Sequence, residues 1–186
     1  MNRVFRAATL MAMLLGAGLS SCNKIDFGPD EGYTEKDSSN QSTGAVDNSD
    51  WTSDKDWKKE EKELFKDSGV DLSQGQQGGV GTLSFYPNAC ASVGAFTIQS
   101  VSVPLPPVLP LPPVYSLHGR LAVVDKKYQV LSSSNFELQT DRPLMLRLDF
   151  SDGKFKSGTL YRMYYILYDD SKTLFLKGHG DIKIKK

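Results

Sequence analysis

The chain is short of the residues that usually announce chemistry. Of 186 residues only two are cysteine, Cys22 and Cys90, and two are histidine, His118 and His179. Two histidines without close spacing form no recognisable metal site. There is no phosphate loop, no Gly-x-Ser-x-Gly and no paired carboxylate set with a supporting pattern, so the familiar nucleotide and hydrolase signatures are absent. A hydrophobic fraction of 39% is too low for a multi-span membrane protein and adequate for a soluble domain. Charge is missing too: no Asp, Glu, Lys or Arg occurs from Leu72 through Gly119.

The charge that is present is segregated, although the formal net charge is zero. Residues 22–75 hold 7 basic and 14 acidic side chains, whereas residues 76–186 hold 13 basic and 8 acidic ones. An acidic leader therefore precedes a basic domain, a balance that serves solubility or attracts anionic partners at low salt.

Arg3 and Arg6 form a positive N-terminal region, followed by the uncharged run Ala7 to Leu19. Thirteen residues are too few to cross a bilayer as a helix, which takes about 20, and suit the apolar region of a secretory signal peptide. The run ends in Leu19-Ser20-Ser21-Cys22, which resembles the lipobox of bacterial lipoproteins. The resemblance implies cleavage between Ser21 and Cys22, diacylglycerol on the Cys22 sulfur, and acylation (palmitate) of the new amino group. Two or more acyl chains give stable membrane attachment, each buried methylene contributing about 0.8 kcal/mol. Asn23 stands where Asp would retain such a protein in the inner membrane, so the resemblance favours the outer membrane and leaves the membrane face open. With Cys22 acylated, Cys90 has no disulfide partner and the fold rests on its core.

Residues 1–21 are thus read as signal peptide and residues 22–79 as a lipidated acidic tether. From Asn23 to about Asp50 the chain is polar and is expected to be disordered, with a reach of roughly 30 Å. A short helix is expected near residues 53–67, with Ser53 as N-cap and Trp57, Leu64 and Phe65 as a thin apolar stripe. Such a helix docks either on its own domain or in a partner's groove.

Residues 80–186 are read as an all-β domain. Leu144, Leu146, Leu148 and Phe150 alternate with Met145, Arg147 and Asp149, and shorter alternations occur at Leu83/Phe85, Phe96/Ile98, Phe136/Leu138 and Ile182/Ile184. Turns are expected at Asp152-Gly153, Asp169-Asp170-Ser171 and Gly178-His179-Gly180, and Lys183, Lys185 and Lys186 suit a protected sheet edge. About eight short strands point to an antiparallel β-sandwich or a small up-and-down barrel.

Six of the nine prolines fall in residues 104–113, where Pro-Leu-Pro-Pro-Val occurs twice. Proline fixes φ and lacks an N–H, so the stretch is expected to be an extended polyproline connection between strands. Leu105, Val108, Leu109 and Leu111 give it apolar side chains, suited either to packing on its own sandwich or to docking a partner protein. The run Tyr161–Tyr168 places Tyr164 and Tyr168 on one strand face beside Arg162, either a packing set or a platform for an anionic glycan. Cys90 reads as a small buried thiol, since nothing local marks an activated thiolate.

The sequence therefore reads as a non-enzymatic, membrane-anchored binding or assembly component. Its partners would be membrane lipid and a protein, met through Trp57 and the proline-rich ridge. The alternative is a small-ligand carrier or glycan binder. No cofactor is expected beyond the acyl chains on Cys22, and no nucleic acid, because no known module accompanies the modest basic excess.

Overall fold

The computed structural model describes residues 24–28, 32–102 and 114–185. The described strands are β1 (Thr52–Ser53), β2 (Gly79–Tyr86), β3 (Val93–Ser102), β4 (Ser116–Val124), β5 (Val130–Gln139), β6 (Leu144–Asp149), β7 (Leu160–Tyr168) and β8 (Leu174–Lys183). They form two antiparallel sheets, ordered β1-β8-β7-β4-β5 and β2-β3-β6. Of the two expected architectures the sandwich is the one found. The sheets do not close into a barrel, because β5 and β6 are consecutive in the chain but belong to different sheets.

The inner core is the meeting of two alternating patterns. Phe85, Phe96 and Ile98 of the small sheet face Leu121, Val123, Met163, Tyr165 and Leu167 of the large one. Each such side chain, fully buried, contributes about 1.5–3 kcal/mol. Trp51 joins this core, stacked on Phe85 at a centroid distance of 5.6 Å. β6 shows the alternation most plainly: its leucines are half-buried against the core while Met145 and Arg147 are exposed.

β7 differs, being apolar at nearly every position. Tyr161, Met163, Tyr165 and Leu167 point into the sandwich, and Leu160, Tyr164, Ile166 and Tyr168 point the other way. The second set is covered by the N-terminal segment, which lays Ile25, Phe27, Trp57, Phe65 and Leu72 over the outer face of the large sheet. The molecule thus has a third, irregular layer, and a central strand buried on both faces reads as a continuous apolar run.

That layer corrects the expected tether. Where described, residues 24–50 are not disordered but bonded to the domain. Their low apolar content misled the composition argument, because polar side chains do much of the fastening. Asp50 accepts the Thr34 N–H at 2.7 Å and the Asp181 N–H at 2.8 Å. Asn88 donates to the carbonyls of Thr34 and Asp181 at 3.0 and 2.8 Å. Asp37 and Asp47 close tight turns by accepting nearby backbone N–H groups.

The helix is also shorter than expected. A single helical turn, α1 (Lys59–Glu63), is followed by a 3-10 turn at Lys66–Ser68. Ser53 is not its N-cap but part of β1, which pairs with β8. The N-cap is Lys58, and the Glu61 carboxylate reaches back to accept its N–H at 2.6 Å and also accepts the Tyr164 hydroxyl at 2.9 Å. One carboxylate therefore closes the helix and ties it to the sheet.

Two expected turns differ as well. Asp152-Gly153 bends the chain, with Gly153 at φ +76°, but joins β6 to β7 across the sandwich rather than closing a hairpin. Gly178-His179-Gly180 lies inside β8. A Cβ on Gly178 would stand 2.0 Å from the Thr52 carbonyl oxygen, and one on Gly180 would stand 2.4 Å from the Trp51 ring. These glycines admit the close approach of β1, a second common use of glycine in strands. Asp169-Asp170-Ser171 does lie in the turn between β7 and β8, with Asp169 accepting the Thr173 N–H. The edge expected to be protected by lysines is covered instead by β1 and by Cys90, which bridges to Ile184.

Antiparallel connectivity gives the sandwich two poles. One is formed by the β4–β5 turn at 125–129, the β6–β7 loop at 150–159 and the end of β8. The other holds the β5–β6 and β7–β8 turns, the end of β3 at Ser102 and the start of β4. Nine-residue strands such as β4 and β7 separate the poles by about 30 Å.

Candidate functional site

The proposed anchor and ridge residues Ser21, Cys22, Leu105, Val108, Leu109 and Leu111 lie outside the described residues. The others are placed, and not at the surface. Trp57 is buried, stacked on Phe65 at 5.6 Å and edge-on to Tyr164 at 5.4 Å, and its indole N–H donates to Asp54 at 2.7 Å. It docks the N-terminal layer on its own domain and presents no face to a partner.

Tyr164 and Tyr168 do share a strand face, but that face is covered. Tyr164 is fully buried beneath α1, with Tyr128 stacked at 6.3 Å. Tyr168 is covered by His118 at 5.5 Å and by the Lys172 ammonium at 4.7 Å from its ring centre. Arg162 is spent on Asp181, which accepts its Nε and Nη2 at 2.7 Å each. The three residues form a packing set rather than a ligand platform, because a layer not foreseen from sequence lies over them.

The remaining reactive groups are engaged. Burial pushes the Cys90 thiol up to about 11, away from thiolate chemistry, and its backbone pairs with Lys183 and Lys185. His118 contacts Asp170 at 2.6 Å, and His179 Nδ1 contacts both oxygens of Asp54 at 2.9 and 2.7 Å. Neighbouring these, Asp50 and Asp181 form a buried acidic pair facing Arg162. Burial first, then the adjacent Asp181 charge, raises Asp50 to about 7. Burial raises Asp181 as well, and the hydrogen bonds from Arg162 work against that rise. Among the described residues no group of three or more His, Cys, Asp or Glu side chains is arranged to hold a metal ion. No described helix is long and apolar enough to cross a membrane.

A concavity lies elsewhere, at the first pole. A groove of about 630 Å³ runs between the β4–β5 turn and the β6–β7 loop. Phe27, Leu131 and Leu160 supply apolar wall, and Lys126, Lys127, Lys154 and Lys156 ring it. Asp125 is the one acidic side chain in the lining, and its carboxylate is turned back to accept the Lys127 and Gln129 N–H groups at 2.8 and 3.0 Å. The lysines are exposed, while Phe155 between two of them is buried and packs edge-on against Phe150 at 4.9 Å. Tyr161 holds the loop by accepting the Lys156 N–H at 2.7 Å.

Sequence reasoning did not single out this lysine ring. Its signals are local: Asp125-Lys-Lys-Tyr128, and Lys154-Phe-Lys156, where a buried aromatic alternates with two exposed cations. Counting charge over the whole domain averaged them away, and only the topology brings two loops 25 residues apart to one rim.

The fold and this groove define a β-sandwich with a basic, partly apolar cleft at one pole. No protein-family model matches the chain, and no curated protein matches it either.

Proposed function

We propose that this protein is a lipid-anchored lipoprotein of the outer membrane, acting without catalysis as a binding or assembly component. The observation that supports this most is where the described chain borders its two unusual segments. Ile25, three residues after Cys22, is held at the groove pole by its N–H bond to the Lys126 carbonyl at 2.9 Å. The proline-rich connection leaves β3 at Ser102 and rejoins at Val114, which is exposed, at the opposite pole. An anchor on Cys22 would then turn the groove pole to the bilayer and leave Ser102 and Val114, the ends that border the proline-rich connection, at the opposite pole about 30 Å away. The glycan-platform alternative has less support, since Tyr164 and Tyr168 are buried.

The test is affinity isolation of the native lipoprotein from mild detergent, beside a variant carrying Leu105→Ala, Leu109→Ala and Leu111→Ala. A stoichiometric partner lost in the variant, with the melting temperature unchanged, is the expected result. A variant that melts far below the parent makes the ridge part of the protein's own core, and retention of the partner moves the interface elsewhere.

A further inference from the structure

We propose that the lysine-ringed groove at the anchored pole is a binding site for the anionic headgroups of the membrane in which the protein is held. The inference rests on the lipoprotein reading above and adds a second, non-covalent contact to the anchor. Its first support is distance. Only Asn23 and Lys24 lie between Cys22 and Ile25, and the three steps of chain reach at most about 11 Å. Because Ile25 is fully buried and bonded to Lys126, no long tether intervenes between lipid and domain. The β4–β5 turn must then lie at the level of the headgroups, which occupy about 5–7 Å on each side of the hydrocarbon.

The second support is charge. Four exposed lysines from two loops converge on one cleft whose lining has a single acidic residue. Asp26, Asp149 and Asp152, nearby on the same pole, each fold back onto a backbone N–H, and Asp152 also shares Lys154 at 3.2 Å. They reduce the field without entering the groove lining. The third support is the wall. Phe27 lies between the Lys126 ammonium at 5.8 Å and the Arg162 guanidinium at 5.3 Å. A cleft with an apolar floor and a cationic rim suits a lipid phosphate with the start of its acyl chains. Lysine ammonium groups attract such phosphates as point charges, and clustered lysines near an anionic leaflet reinforce one another.

Three carboxylates of the acidic N-terminal segment are directed into the fold and away from the groove. Its buried carboxylates Asp50 and Glu61 are turned into the fold, toward Asp181 and Tyr164. Asp54 faces His179.

The test uses the full lipoprotein in lipid nanodiscs of phosphatidylcholine, alone or mixed with phosphatidylglycerol, read by amide hydrogen exchange. The expected result is exchange slower by about tenfold or more at residues 125–129 and 154–159 in the anionic discs only. Replacing Lys126, Lys127, Lys154 and Lys156 with alanine abolishes that protection without lowering the melting temperature, since all four are exposed. Equal exchange in the two kinds of disc overturns the headgroup site. So does protection by inorganic phosphate in detergent that matches the anionic disc, which makes the ligand a soluble one. The intact mass of the same sample reports acylation. If Cys22 carries no lipid, the anchoring reading fails separately, and flotation of the unacylated chain with anionic but not neutral vesicles then decides the groove.

Discussion

Replacing Arg162 with alanine is expected to destabilise the fold by about 3–5 kcal/mol, among the largest effects available from one side chain. Arg162 makes two charge-assisted hydrogen bonds to Asp181, whose side chain is almost wholly buried, and a third bond at 3.2 Å to the Asp26 carbonyl. Without it Asp181 keeps a buried carboxylate beside Asp50 and loses its hydrogen-bonded cation. The Asp26 link, which fastens the N-terminal segment, is lost in the same step. Urea unfolding measures the change. Replacing both Arg162 and Asp181 with apolar residues should recover part of the loss, because the larger cost lies in leaving one charge unpaired. A loss below about 1 kcal/mol for Arg162→Ala would mean that water reaches the pair, as it does in surface ion pairs.

The second large effect is a pH dependence centred on Asp50. This carboxyl sits at about 7 in the folded protein, above the ordinary value of 3.8. An acid raised in this way is easier to keep neutral than charged within the fold. Its contribution to stability is therefore greatest below about pH 4, and it is lost as pH rises through the window from about 4 to 7. At about 1.4 kcal/mol per unit, the loss across that window is at most about 4 kcal/mol. Asp181, raised by the same burial, adds in the same direction. The carboxylate that suffers this cost is also the one that accepts the Thr34 and Asp181 N–H groups. The N-terminal layer is thus held by a group that works against its own solvation. Unfolding free energies measured from pH 4 to 8 should show the decline, and Asp50→Asn should flatten it whatever its absolute stability. An unchanged slope in Asp50→Asn would place the titration on another group.

How far these features can be read from sequence depends on where the information lies. The strands of the sandwich are legible because Leu144–Phe150, Leu83/Phe85 and Phe96/Ile98 alternate with a half-buried pleat, and that pattern is local. β7 is legible only in part. Tyr161–Tyr168 announces burial on both faces, yet the same run suits an exposed aromatic platform until the covering layer is known. Gly178 and Gly180 look like turn residues, since a sequence does not distinguish a glycine that bends the chain from one that admits Trp51 and Thr52 against the strand. The N-terminal layer is the largest omission. Of its five buried apolar anchors only Trp57 and Phe65 belong to the stripe legible in the sequence, Ile25, Phe27 and Leu72 following no period, and its polar fastenings, Asp50 to Asp181 and Asn88 to Thr34, span 131 and 54 residues. The lysine groove has the same character, being made by topology from two short loops that look ordinary one at a time.

The shortened tether changes what the proposed anchor would do. A flexible spacer of the length first expected would leave orientation free. With lipid on Cys22, as proposed, a domain fastened at Ile25 would turn one pole to the membrane and the other away from it. Both assignments depend on lipid at Cys22. The most direct measurement is the intact mass of the chain purified from membranes, with the N-terminal peptide sequenced by fragmentation. The account predicts a mature chain beginning at Cys22 and carrying diacylglycerol on sulfur with a further acyl chain on nitrogen. A free thiol at Cys22, or a chain starting at another residue, would contradict it.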